Sequence, residues 1–107
     1  MKRSPIRSRT HHVTDEERLV YQAVELRDPQ CMAPVLDEVE HNRWPGCCGG
    51  RLTMQHVKPG PGGKRITDEA HLIRLCEWHH LYTGWATSKH GLALQRAYLR
   101  DRYPEAW

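Results

Sequence analysis

Four cysteines and eight histidines stand out in this 107-residue chain, and two of them are spaced for chemistry. Cys76 and His79 form a CxxH pair at the predicted junction of a strand and a helix, where the three-residue step lets a sulfur and an imidazole converge on one tetrahedral ion. Such a pair needs two more ligands. Cys31 and Cys48 are the best candidates, Cys48 because it lies in the Gly-rich turn CCGG directly before a predicted strand, where the backbone can bend around a metal. Cys47 is the alternate. The reading is a structural Cys3His zinc site, and the plain alternative is a set of free buried thiols.

Composition asks for a staple of this kind. The chain has room for one domain, is 38% hydrophobic and contains no Phe, so its apolar core alone would be marginal. No apolar secretory segment precedes the cysteines, which predicts a reducing, intracellular location, and there Cys accompanied by His reads as metal ligands rather than as disulfides. No stretch is long and apolar enough to span a membrane. The formal charge of +3 is concentrated in the opening MKRSPIRSRTHH and around Lys58, Lys64 and Arg65. A polyanionic partner fits that distribution, as does a solvated surface with a tail.

The elements that must position these groups follow from local signals. Residues 1–13 are basic, contain Ser and Pro and lack a hydrophobic period, which predicts a flexible arm ahead of one domain over 14–107. Thr14, Asp15, Glu16 and Glu17 have capping-box form and predict a helix to about Arg27. Leu19, Val20, Ala23, Val24 and Leu26 fall mostly on one of its faces. Asp28 and Pro29 stop that helix, and an irregular stretch leads through Trp44, Pro45 and Gly46 to the CCGG turn.

RLTMQHVK at 51–58 reads as a strand, PGPGGKRITDE as a loop, and LIRLC at 72–76 as a second, antiparallel strand. EWHHLYTGWA predicts a helix from Glu77 to about Ala86. KHGLALQRAYLRDRY predicts a terminal helix over about 88–103 that ends at Pro104, with Leu92, Leu94, Tyr98 and Leu99 within helical reach.

The remaining histidines of interest are His56 at the end of the first strand, His71 at the end of the loop and His80 in the following helix. The strings that carry them, LTMQHVKPGPGG, EAHL and LIRLCEWHH, resemble the HNH nuclease family over roughly residues 31–90, in particular small HNH proteins of phages and prophages. The resemblance implies an α+β fold: a small zinc-stapled ββα-metal (HNH, His-Me finger) domain with flanking N- and C-terminal helices. It implies a metal-dependent DNA endonuclease that hydrolyses phosphodiesters as nicks or double-strand breaks, with a place in phage DNA packaging inside an infected or lysogenic bacterial host. His56 would be the general base that activates water, and His80 would hold a catalytic divalent cation, Mg2+, Mn2+ or Ni2+. His79 matches the second zinc-binding Cys of relatives whose helix begins CxxCH, so the adjacent histidines would serve two metals and point apart. Lys58, Lys64, Arg65 and the basic arm would touch phosphates of double-stranded DNA without reading its sequence.

Three positions depart from that pattern. Gln55 stands where a His or Asp usually binds the metal, and it is a weaker ligand for a hard cation. His71 replaces the middle Asn, from where it would orient His56 or join the cation. Gly84 stands where some relatives carry a second helical His. The implied shell of His80, Gln55 and His71 is loose and is completed by water and phosphate oxygens. Two other classes accept the same zinc and charge: a catalytically weak or inactive zinc-containing DNA-binding module, and an adaptor for a terminase docked through the last helix. His11, His12, His41 and His90 gain no role from the resemblance. Arg74, Lys89, Arg96 and Arg100 extend the basic track only where they are not simply solvated.

Overall fold

The computed structural model describes residues 13–43, 48–58 and 66–107. The basic arm up to residue 12, Cys47, Lys64 and Arg65 therefore lie outside the described residues. Helix α1 (Asp15–Arg27) begins where its box dictates, with the Thr14 hydroxyl accepting from the Glu17 amide and the Glu17 carboxylate accepting from the Thr14 amide, both at 3.1 Å. The segment read as irregular contains two short helices, α2 (Ala33–Leu36) and α3 (Glu38–Arg43). Asp37 separates them and caps α3 by accepting from the Val39 amide at 3.0 Å.

Strands β1 (Leu52–His56) and β2 (Leu72–Cys76) pair antiparallel, with Leu52 opposite Cys76 and His56 opposite Leu72. The loop that joins them ends in a 3-10 turn, Glu69–His71. One sheet face contributes Val57, Ile73 and Leu75 to a core completed by Trp85, Ala86 and Leu99. Helix α4 (Lys89–Arg102) is capped by the Ser88 hydroxyl, which accepts from the Gly91 amide at 2.9 Å. Among the described residues no helix is long and apolar enough to cross a membrane.

Two expectations are corrected. The helix expected from Glu77 to Ala86 is instead a five-residue π-helical turn, Trp78–Tyr82, and a 3-10 turn, Trp85–Thr87. Gly84 divides them at φ 78°, a left-handed conformation that glycine adopts without a Cβ penalty and that a continuing helix excludes. The apolar face expected on α1 is also narrower than its five residues suggest, since Val20 and Ala23 are half-buried beside Val24 and the two leucines face outward. Val24 alone is buried there, while Leu19 is 67% and Leu26 85% exposed.

Helix α1 is held instead by polar contacts at its end. The Arg27 guanidinium donates twice to the fully buried Asp28 carboxylate, at 2.9 and 2.7 Å, and also to the backbone carbonyls of Glu69 and Leu72. The Tyr98 hydroxyl of α4 donates to the same carboxylate at 2.6 Å. A buried charge is tolerable only when paired and hydrogen-bonded in this way. A second buried acid, Asp37, accepts from the Trp85 indole at 2.9 Å and faces His90 of α4 at 3.0 Å. These two carboxylates tie α1, α3 and the Trp85 turn to α4.

Both packing claims are testable. Gly91 is close enough to the Trp85 turn that an added Cβ would stand 1.9 Å from the Trp85 carbonyl oxygen. Gly91→Ala should thus destabilise the fold by about 1–3 kcal/mol in denaturant titrations, despite alanine's better helix propensity. Burial and the bond to Asp28 push the Tyr98 phenol up to about 12 from 10.0. A raised phenol pKa contributes its full stabilisation below the unfolded value and loses it as pH climbs through the folded one. Circular dichroism should show stability falling between pH 10.0 and about 12, and Tyr98→Phe should flatten that fall while lowering neutral-pH stability by about 1 kcal/mol.

Candidate metal centre and the histidines beside it

Four segments deliver four donors to one point. Cys31 follows the stop of α1, and the bond from the Met32 amide to the Arg74 carbonyl, 2.9 Å, presses this segment against β2. Cys48 enters through the Gly-rich turn, which is zipped onto the end of β2 by bonds from Trp78 to Gly49 and from Glu77 to Arg51, at 3.1 and 2.9 Å. Gly50 has φ 79°, and a Cβ there would meet the Glu77 side chain at 2.3 Å, so a side chain at this position would force the turn open. Cys76 ends β2, and the His79 amide donates to its sulfur at 3.4 Å.

The His79 Nδ1 faces the sulfurs of Cys76, Cys31 and Cys48 at 3.3, 3.5 and 3.6 Å, and all four ligand atoms lie within 4.8 Å of one another. Tetrahedral zinc with ordinary Zn–S and Zn–N lengths sets the N···S separation at about 3.6 Å. The observed spacings therefore suit one ion without rearrangement. On its far side, the fully buried His79 ring meets the Glu40 carboxylate through Nε2 at 3.1 Å. A carboxylate can only accept, so Nε2 carries the hydrogen and Nδ1 the lone pair, directed at the sulfurs. This cluster can hold a metal ion such as zinc.

The thiols themselves show why a cation belongs there. Burial pushes Cys31 up, and burial together with the charges of Cys31 and Cys76 pushes Cys48 well above the usual thiol range. Burial acts the same way on Cys76, but hydrogen bonds from the His79 and Gly49 backbone outweigh it and bring that thiol down to about 7. Ionising all three thiols at this spacing would set three negative charges against one another, and a central dication would remove that repulsion.

The other histidines have separate surroundings. The His56 Nδ1 faces the Ile66 carbonyl at 3.4 Å, a long hydrogen bond. The His80 Nδ1 lies 2.6 Å from the Thr53 hydroxyl, so the adjacent histidines 79 and 80 do point to different partners. His71 pairs through Nδ1 with Asp68 at 2.7 Å and stacks on Trp107 at 4.7 Å, with its Nε2 buried. Gln55 is buried, and its amide nitrogen donates to the Ala86 carbonyl at 3.0 Å. Among the described residues the Cys3His set forms the one cluster of three or more His, Cys, Asp or Glu ligand atoms. The described contacts of His71 and Gln55 are with Asp68, Trp107 and Ala86. Lys58 lies just past β1, and its carbonyl accepts from Arg96 at 2.9 Å. Arg74 reaches the Asp28 carbonyl at 3.5 Å.

Two contributors were not foreseen. Glu40 lies 39 positions from His79 in sequence, inside a stretch that reads as irregular, and nothing local marks it. Thr53 had a signal: strand alternation puts it on the same side as Gln55, two residues away. Comparison with protein-family models, curated proteins and solved structures finds no match.

Zinc analysis of purified protein should give one ion per chain. Cys48→Ala should lose that ion, whereas Cys47→Ala should keep it. Glu40→Ala should weaken zinc binding about 10–100-fold in competition with a chelator, as expected when a carboxylate orienting a metal-bound His is removed. Chelation of the wild type should unfold it.

Proposed function

We propose that the chain is a zinc-stapled ββα-metal nuclease of the HNH type, which hydrolyses phosphodiester bonds in double-stranded DNA with the help of a second, weakly held divalent cation. The observation that carries this reading is the orientation of two imidazoles beside the hairpin. His56 points Nδ1 at a carbonyl oxygen, which only accepts, so its Nε2 has the lone pair that a general base needs. His80, in the turn directly after β2, has Nδ1 against the Thr53 hydroxyl, which favours Nε2 as a metal donor. The strand-strand-turn order, with a cysteine-histidine staple where β2 meets the turn, agrees with the resemblance in the sequence.

In this reading His56 takes the proton of the attacking water, and His80 is the protein's imidazole ligand for the cation. A bound cation supplies charge neutralisation at the phosphate and at the leaving oxygen. Gln55 and His71 have other partners, so the cation is recruited together with substrate phosphate oxygens rather than held tightly beforehand. Lys58 and the positive segments of the sequence draw in the polyanion, which makes binding salt-dependent and weakly specific.

That same thinness of the donor set favours one second reading, a zinc-containing DNA-binding module that does not cut. Supercoiled plasmid incubated with Mg2+, Mn2+ or Ni2+ separates the two. Nicking that falls about 100-fold or more in His56→Ala, and likewise in His80→Ala, is the expected result. Binding without nicking under every cation, or equal nicking by the variants, would leave the binding module as the function.

A further inference from the structure

The Cys3His cluster is closed on its imidazole side and open on its sulfur side. His79 is fully buried with the Glu40 carboxylate behind it, and Cys31 and Cys76 are only 5% and 2% exposed. Cys48 is exposed. It is followed by Gly49 and Gly50, so the next two residues carry no side chain to screen it. A cavity of about 1060 Å³ lies against this side of the cluster, and Cys31, Cys48 and Cys76 all contribute to its wall beside the apolar Pro34, Leu36 and Leu52. The three cysteines thus share one approach from outside, and their sulfurs lie within 4.8 Å of one another. The bonds from Trp78 to Gly49 and from Glu77 to Arg51 keep the Gly-rich turn beside the end of β2, so Cys48 stays within reach of Cys76 whether or not an ion joins them.

From this asymmetry we propose that Cys48 is a site of oxidative modification: a hydroperoxide reaches it through the cavity, and one of the two buried cysteines then closes a disulfide with it and displaces the metal. The inference rests on the reading of the cluster as a zinc site and not on the nuclease reading. Metal-bound cysteines are thiolates, the nucleophilic form of the residue. The Cys76 sulfur accepts from the His79 amide at 3.4 Å and is shielded by burial, as is Cys31, which leaves Cys48 to react first. Its thiolate attacks one peroxide oxygen, so that an S–O bond forms, the O–O bond breaks, and the other oxygen leaves as hydroxide or alkoxide and takes a proton from water. The product is a sulfenic acid. The thiolate of Cys31 or Cys76 then attacks the Cys48 sulfur, the S–S bond forms, and hydroxide leaves. Two thiolates have lost two electrons and the peroxide has gained them. The ion loses two of its four donors, and the joint between α1, the turn and β2 loosens until a dithiol reduces the disulfide.

Hydrogen peroxide added to the zinc-loaded chain, with a chromogenic chelator present and a peroxide-free control, reads the displacement directly. Zinc should be released as peroxide is consumed, and peptide mass spectrometry should find a disulfide from Cys48 to Cys31 or Cys76. Dithiothreitol with added zinc should restore the thiols and the ion. With dimedone present to trap the sulfenic acid, the earliest adduct should be on Cys48, and Cys47→Ala should behave as wild type does. Cys48→His, which keeps a zinc donor but no sulfur at that position, should retain its zinc under the same peroxide. If that variant binds no zinc, the dimedone mapping of wild type decides alone. An earliest adduct on Cys31, Cys47 or Cys76 would overturn the proposal, as would zinc retained by wild type under peroxide that converts free cysteine to cystine. Purified protein that holds no zinc would sink it together with the metal centre. Plasmid nicking enters none of these measurements, so failure of the nuclease reading leaves the inference standing.

Discussion

The convergence of three sulfurs on the His79 Nδ1 is the constraint on which the rest of the structure depends. The four donors come from the end of α1, the Gly-rich turn, the last residue of β2 and the turn that follows it, so each of these segments is tied to the others at one point. A chain of this length has little apolar area to bury. Its described core is one small cluster around Val57, Ile73, Leu75 and Leu99, and a metal held at its edge would link segments that apolar contact alone holds weakly. The identity of Gly50 belongs to the same constraint, because a Cβ there would push the turn off Glu77 and carry Cys48 away from its partners.

Buried acids complete what the small core leaves undone. Asp28 gathers Arg27 and Tyr98, and Asp37 gathers Trp85 and His90, so helices with few buried apolar residues are still fixed in place. Glu40 extends the pattern to the metal cluster. Asp28 and Asp37 are each compensated by several donors, which is the condition for placing charge where water is excluded.

Control of histidine tautomers runs through the whole site. His56 faces a carbonyl, His79 a carboxylate, His80 a hydroxyl whose proton goes to the Leu75 carbonyl, and His71 the carboxylate of Asp68. In each case a short-range partner decides which ring nitrogen holds the lone pair, and hence what that ring can accept or bind. Gln55 and His71 have local partners of their own, since the Gln55 amide nitrogen donates to Ala86 and the His71 Nδ1 pairs with Asp68, while the buried His71 Nε2 is left without one among the described residues.

Sequence by itself determined the elements whose signals are local. The Thr14–Glu17 box began α1, alternation and the Gly-Pro loop gave the two strands, Ser88 and Pro104 bounded α4, and the CxxH spacing of Cys76 and His79 marked half of the metal cluster. Capping and spacing are decided within a few residues, and so they are legible in one dimension. Cys31 and Cys48 were the candidates the sequence offered for the other half, and the fold brings both to the cluster. Tertiary structure alone decided that Glu40 backs His79, that Gly84 breaks the predicted helix, and that His71 turns to Asp68. It also decided that α1 exposes Leu19 and Leu26 and is held through Arg27 and Asp28 instead. These outcomes depend on which segments meet in space, and a hydrogen bond or a metal ligand leaves no periodic trace in the residues that make it.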